Sequence, residues 1–359
     1  MNQPCDECLR RTWLVAALSG YIAHARERFG SLDSLLALGD RELVAALAGR
    51  DAEAITAAWL GFDPAPARRR LREAGLAGIC RHDPERYPQA LRDMPDPPAM
   101  VHVAGGTQLP RGPATAVVGA RRATPYGLEV ARMLGRGLAA AGVTVVSGMA
   151  LGVDSAAHEG ALEAGGPTLA VLPGGADVPY PASKRRLYRR LLAEGCAASE
   201  LPPGLRPRRW CFPARNRLIA ALSALTVVVE AAERSGALIT ARLARELGRE
   251  VGAVPGPITS GRARGVNDLL FDGAHLVRDV QDVLDVLFGA GAASAPPDPR
   301  AGLEPGLRRV LDEVAGGRDT VGALAGTPAE AEAALVALSE LELLGHVRRA
   351  PGGRYVPVA

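Results

Sequence analysis

From residue 114 to about residue 254 the chain alternates short apolar runs with amphipathic stretches, and this restricts its fold more than any other feature. The runs "ATAVVGA", "GVTVVSG", "PTLAVLPG", "ALTVVVEA" and "REVGAVPG" are rich in valine and carry few polar residues. A strand with one wet face alternates apolar and polar residues, whereas a continuous apolar strand is covered on both faces. Between the runs stand "GLEVARMLGRGLAAAG", "SAAHEGALEAG", "SKRRLYRRLLAEG" and "GALITARLARELG", whose apolar residues recur at helical spacing. Strand and helix in repetition predict a parallel sheet between two helical layers, a Rossmann-like α/β fold. Ligands of such sheets bind beyond the carboxyl ends of the strands. The glycine-rich segments "GARRATPYG", "SGMALGVD", "LPGGADVPYP" and "ERSGALIT" fall there.

The flanks read differently. Residues 1–80 break into short helices, "CLRRTWLVAALS", "YIAHARERFG", "SLDSLLALG", "DRELVAALAG", "DAEAITAAWLG" and "APARRRLREAG", punctuated by Gly and Asp. The proline-rich "RHDPERYPQALRDMPDPPAMVHVAGG" marks the boundary with the α/β domain, residues 83–288. A linker, 289–303, contains "AGAASAPPDPRAG". Residues 304–359 then form three helices and a glycine-turned hairpin, the order of a winged helix. No apolar run approaches the roughly 18–20 residues that span a bilayer, and the start has no signal-peptide pattern. Five cysteines, an odd number widely scattered, suit a reducing cytoplasm better than a disulfide framework.

The net charge is only +3, so any anion site requires local clustering. The first strand runs into "VVGARRATPYG", which has a single Gly, Gly119, at the strand end and no GxGxxG dinucleotide fingerprint. Thr124 and Pro125 form an N-cap and first-turn pair, so Arg121 and Arg122 stand at a helix N-terminus, where an anion is favoured. Lys184, the sole lysine among 42 basic residues, opens another helix with Arg185. Arg215, Asn216 and Arg217 precede a third. Cations at a helix start oppose its dipole by a few tenths of a kcal/mol unless an anion is present. Three such clusters along one sheet edge predict a row of phosphates, hence a polyanion. Ser147 and Gly148 are expected to donate to it, with Gly152, Ser235, Gly236 and Asn267 completing the loop positions that face it.

Catalytic chemistry has less support. Asp154 and His158 share a helix face but lack a paired nucleophile. His158 reads as a packed helix residue, Asp154 as a loop-orienting group and Glu230 as an acceptor for loop amides. Cys5-x-x-Cys8 is a single CxxC that Cys80 and His82 would extend to a four-ligand zinc set. With no second close pair, unpaired thiols and no metal are expected.

Taken in order, "VVGARRATPYG", "VVSGMALGVDSAAHEGALEAGGPTLAVLPGGADVPYP", "FPARNRLIAALS", "VVVEAAERSGALITARLARELGREVGAVPG" and "GVNDLLFDGA" resemble the DNA-processing protein A family, DprA or Smf, over about residues 83–285. The resemblance implies a non-enzymatic protein without cofactor. It would bind and protect single-stranded DNA and load the recombinase RecA onto it during natural transformation and recombination. It also implies an N-terminal all-α domain of SAM or helix-hairpin-helix type, the Rossmann-like core, a C-terminal winged helix and a homodimer. By motif, Arg121 matches the family's phosphate clamp. Ala120 stands where the family has serine, Lys184 where it has asparagine, Ala221 where it has glycine, and Pro173 where it has glycine.

Further expectations concern the partners. Leu269, Leu270 and Phe271 form an apolar run that exceeds one helix face and marks a self-association surface. With 4% aromatic residues, phosphate contacts are expected to dominate over base stacking. The third helix of the winged helix carries Glu330, Glu332, Glu340 and Glu342, which suits a protein partner better than DNA. The alternative is a nucleotide phosphoribohydrolase of the lysine decarboxylase-like type, with signature PGGxGTxxE. "LPGGADVPY" shares only PGG and lacks the glutamate for acid–base work.

Overall fold

In the computed structural model, residues 3–29, 35–106, 109, 111–295 and 302–357 are described. The chain divides into two compact units, 1–294 and 295–359. Helices α1 (Asp6–Ala17), α2 (Ser19–Phe29), α3 (Asp40–Leu47), α4 (Ala52–Leu60) and α5 (Pro64–Glu73) open the first unit. Helix α5 starts as its sequence dictates: Asp63 accepts from the Ala65 N–H at 2.9 Å and Pro64 occupies the first turn. The helix expected over "SLDSLLALG" lies partly on residues 30–34, outside the described residues, and 35–38 form a turn.

The helical segment ends in a strand. The run "AGIC" forms β1 (Ala77–Cys80), which pairs antiparallel with β2 (Met100–Ala104); α6 (Gln89–Arg92) lies between them. The expected domain boundary at residue 80 therefore divides β1 from the sheet it belongs to. The parallel strands β3 (Ala114–Val118), β4 (Thr144–Ser147), β5 (Thr168–Val171), β6 (Cys196–Ser199), β7 (Leu225–Val228), β8 (Glu250–Ala253) and β9 (His275–Leu276) complete the sheet. Its nine strands run in the order β1-β2-β6-β5-β4-β3-β7-β8-β9. Strand β6, "CAAS", was not expected, because alanine carries little strand signal. It is fully buried all the same.

Helices α7 (Pro125–Ala140), α8 (Val153–Glu163), α9 (Arg185–Glu194), α10 (Cys211–Ala221), α11 (Gly236–Glu246), α12 (Arg264–Phe271) and α13 (Val280–Phe288) follow the strands. This is the Rossmann-like parallel sheet that the alternation predicts. Helices α7 and α8 meet backbone to backbone, and a Cβ at Gly135 would lie 2.1 Å from the Ala157 oxygen. The strand order reverses between β3 and β7, which makes the crevice there the topological switch point. No helix among the described residues is long and apolar enough to cross a membrane.

The cysteines are unpaired, as expected, but three of them come together in the fold. Helix α1 buries Cys8 and Leu9 in one cluster with Cys80 and Met100 of the β1–β2 pair. That packing brings the ligand atoms of Cys5, Cys8, Cys80 and His82 within 4.8 Å of one another.

The second unit holds α14 (Pro305–Ala315), α15 (Val321–Leu324), α16 (Pro328–Leu343) and an antiparallel pair, β10 (Val347–Ala350) and β11 (Arg354–Pro357). Leu307, Leu311, Val314, Leu338, Leu341, Val347 and Tyr355 form its core. Of the expected linker, residues 296–301 lie outside the described residues. Helix α16 exposes Val336 and Leu343 beside its glutamates.

Candidate nucleic-acid interface

The loop "SGMALGVD" follows β4 at the carboxyl edge of the sheet, but its polar groups turn inward. The Ser147 hydroxyl is wholly buried and donates to the Val117 oxygen at 2.7 Å. The N–H groups of Gly148 and Ala150 donate to one Asp154 carboxylate oxygen, at 3.1 and 3.4 Å. Ser155 donates to the Ala150 oxygen at 2.5 Å. Ser147 and Gly148 are therefore not free phosphate donors, contrary to expectation, whereas Asp154 orients the loop as expected. Gly148 has a different cause: a Cβ there would lie 2.0 Å from Arg215 Nη1. Gly152, at φ +81°, admits the close passage of the Ala120 carbonyl, 2.2 Å from where its Cβ would stand.

The cluster read as Arg215, Asn216 and Arg217 does not precede a helix; it lies inside α10. Arg215 is buried and donates through Nη1 to the oxygens of Gly148 (2.7 Å) and Val171 (2.5 Å). Burial, helped by the neighbouring Arg121 charge, lowers its pKa to about 10, so it stays cationic at neutral pH. Asn216 accepts from Arg215 Nε at 3.1 Å. Arg217 is also buried, ion-paired with Asp96 (3.2 Å) and with Glu200. Buried guanidiniums with carboxylate and carbonyl partners hold loops together rather than meet a ligand. Lys184 pairs with Glu159 at 3.1 Å. Asn267 clamps the Gly256 backbone, accepting its N–H at 3.2 Å and donating to its oxygen at 3.1 Å.

An outer layer remains. Arg121 is exposed, and its guanidinium lies over the Phe212 ring, 5.0 Å from the centroid. Phe212 in turn meets Tyr180 edge to face at 5.3 Å, with Tyr180 37% exposed. This stack links the loop after β3, the loop after β5 and the first turn of α10. Arg122 and Arg185 are exposed nearby in sequence, and Arg262 donates to the Arg122 oxygen. The aromatic pair was missed. Its signal was present as two aromatic-proline dipeptides, "YP" before Lys184 and "FP" before Arg215.

The switch point carries a carboxylate at the α7 N-terminus. Thr124 caps α7 by accepting from the Gly127 N–H at 3.1 Å, while its own N–H and hydroxyl donate to Glu230, at 3.1 and 2.5 Å. Glu230, as expected, accepts from loop groups, and its carboxylate fills the place where a dinucleotide pyrophosphate would sit. A Cβ at Gly119 would meet Val153 at 2.7 Å, so only glycine fits at this turn without a shift. In the "PGG" loop, the Gly175 N–H is bound to the Leu205 oxygen at 2.8 Å. Ser235 caps α11, accepting from the Ala237 N–H at 3.3 Å, and Gly236 is exposed beside it.

Fold and site together define a doubly wound α/β protein with a carboxylate at its switch point and strand-end loops that present a cationic, aromatic surface. The chain belongs to the DNA recombination-mediator protein A family, whose model matches residues 78–288. A putative DNA processing protein DprA of Mycobacterium tuberculosis is 50% identical over 192 residues, 53% of this chain and 49% of that protein. The match thus spans about half the length of that relative. Protein Smf of Escherichia coli is 40% identical over 283 residues, 76% of this chain and 75% of that protein. Among solved structures, DNA processing protein A of Streptococcus pneumoniae superposes with a TM-score of 0.63 at 32% identity, over 77% of this chain and 95% of that one. The Helicobacter pylori protein, studied for its single-stranded DNA binding mode, gives 0.54 at 31% identity, over 59% and 95%.

Two fully buried imidazoles, His158 in α8 and His102 in β2, make the fold's stability sensitive to acid. His158 is fully buried; the Thr168 hydroxyl donates to the Val145 oxygen, so Nδ1–H of His158 donates to Thr168 at 2.7 Å. Burial lowers its pKa from 6.5 to about 3, and that of His102 to about 4. Because both folded values lie below 6.5, the stabilisation is complete above that pH and declines as pH falls towards the folded values. Unfolding free energy should therefore drop by about 3–4 kcal/mol between pH 7 and 5, two protons at about 1.4 kcal/mol per pH unit. Urea titrations across that range would reveal it; an unchanged midpoint would mean that the folded chain accommodates imidazolium.

Proposed function

We propose that this chain binds single-stranded DNA across the loops after β3 and β5 and the start of α10, shields it, and passes it to the recombinase RecA. The stack of Arg121, Phe212 and Tyr180 carries this reading. An exposed guanidinium supplies a phosphate contact, and an adjoining aromatic face accepts a base of any sequence. A binding role rather than an enzymatic one is supported by the candidate acids and bases, since Asp154, Glu230 and His158 are each bonded into the fold. The single-strand binding mode described for the Helicobacter pylori relative supports the same ligand. Because Arg215 and Arg217 are committed internally, the phosphate count falls to Arg121 and its exposed neighbours. With about three phosphates neutralised, log affinity against log salt should slope at about −2. Arg121→Ala should weaken binding about tenfold or more, and Tyr180→Ala should cost about 1–3 kcal/mol per stacked base. Fluorescence anisotropy with labelled oligonucleotides measures both. Tighter binding to duplex, or no salt dependence, would overturn the reading.

Self-association through α12 is part of the proposal, in a narrower form than the apolar run implied. Leu269 and Leu270 pack against the core, whereas Phe271 is 92% exposed. Phe271→Glu should give a folded monomer by light scattering. A dimer that persists in this variant would exclude the surface.

The second unit is proposed to meet a protein rather than DNA, because α16 combines exposed glutamates with Val336 and Leu343. An acidic helix is repelled by phosphates. Deleting residues 300–359 should leave single-strand affinity within a few fold. A loss above about tenfold, roughly 1.4 kcal/mol, would assign DNA contacts to this unit.

A further inference from the structure

We infer that Cys5, Cys8, Cys80 and His82 form a structural zinc site that staples the N-terminal helix α1 to strand β1. The four residues come from two remote stretches, the first turn of α1 and the end of β1. Cys5 Sγ lies 3.4 Å from His82 Nδ1, Cys8 Sγ lies 3.8 Å from the same nitrogen, and Cys80 Sγ lies 3.5 Å from Cys5 Sγ. Zinc bonds of about 2.3 Å to sulfur and 2.0–2.1 Å to nitrogen give tetrahedron edges of about 3.8 Å for sulfur–sulfur and 3.5 Å for sulfur–nitrogen. The separations match those edges. The Cys5–Cys80 separation is too long for a disulfide, whose sulfurs stand about 2.05 Å apart. All five cysteines are free.

The surroundings suit a metal better than a hydrogen-bonded thiol cluster. Thiols are weak donors and weak acceptors, yet His82, half-exposed, turns Nδ1 inward to the sulfurs. Its other nitrogen faces the Glu7 carboxylate at 4.0 Å, and Glu7 accepts from Arg81 at 2.9 Å. A carboxylate behind a ligating histidine is the arrangement that orients such ligands. Cys5 occupies the N-cap position of α1 without a side-chain capping bond, which leaves its sulfur to the cluster. Three thiolates around a dication leave one negative charge, favoured by the helix N-terminus and by Arg81. With four protein ligands the site has no open position, so its role is structural and not catalytic.

The test uses the full-length protein, purified under reducing conditions and loaded with zinc or, separately, with cobalt(II). Elemental analysis after gel filtration should find about one zinc per chain, and none after Cys80→Ser. Cys196→Ser, outside the cluster, should retain it. Should Cys80→Ser fail to fold, the cobalt form of the unaltered protein decides. Intense visible bands with sulfur-to-cobalt charge transfer establish a tetrahedral thiolate site. A weak octahedral spectrum, protein that leaves the column metal-free, or a Cys5–Cys80 disulfide in the air-equilibrated protein would each overturn the inference.

Discussion

The loops at the strand ends depend on one buried cation. Arg215 sits inside α10 and reaches the carbonyl oxygens that end β4 and β5, while Asp154, within its electrostatic reach, collects the amides of the β4 loop. Each charge is costly alone in that environment; a buried ion deprived of its counterpart costs about 3–5 kcal/mol. Burial raises the Asp154 pKa, and Arg215 opposes that rise. The two ions therefore stabilise a loop geometry that neither would hold alone. Gly148 is the steric counterpart of this arrangement, since any side chain there would occupy the guanidinium's place. A sequence that looks like a phosphate cradle is instead the floor of a site.

Separation into two layers explains how the same strand ends can be both rigid and available. Below, Asp154 opposes Arg215, Asp96 and Glu200 pair with Arg217, and Asp154 and Glu230 take up loop amides. Above, Arg121 extends over Phe212, held by an aromatic neighbour rather than by a carboxylate. A guanidinium resting on a ring keeps its donors free for a phosphate, whereas one paired with a carboxylate does not. The same logic excludes the usual tenant of this fold. Glu230 sits at the switch point on the backbone of Thr124, where its charge repels a pyrophosphate. In the proposed binding mode, a polyanion lying across the loops would avoid that carboxylate, because its phosphates would meet the outer layer.

The sequence carried the sheet well wherever strands were β-branched, and poorly where they were not. "ATAVV" and "TLAV" are recognisable as buried strands, but "CAAS" becomes one only because neighbours on both sides pair with it. The roles of Asp154, His158 and Glu230 were legible from local context. Those of the arginines were not. Arg121 and Arg217 look alike in one dimension, and only the position of Asp96 and Glu200 across the fold buries the second. Aromatic residues were undervalued for a similar reason. A composition of 4% says nothing about where the few rings stand, and two of them stand together.

The same limitation hid the cysteine cluster, because its members are about seventy positions apart and converge only when α1 packs on the β1–β2 pair. That convergence bears on how the N-terminal helices relate to the sheet. Trp210, wholly buried just before α10, donates to Ser19 at 3.0 Å and packs with Leu14, Leu18 and Ile22. Helix α10 is therefore held at its start by the N-terminal helices and along its length by the strand ends. A restraint at Cys5 and Cys80 acts on the opposite end of α1 from this tryptophan. Two attachments at separate ends fix the direction of a helix, whereas one would leave it free to pivot. Through α10 that direction reaches Phe212 and Arg215, so the helical segment is a support of the strand-end loops rather than an appendage to them.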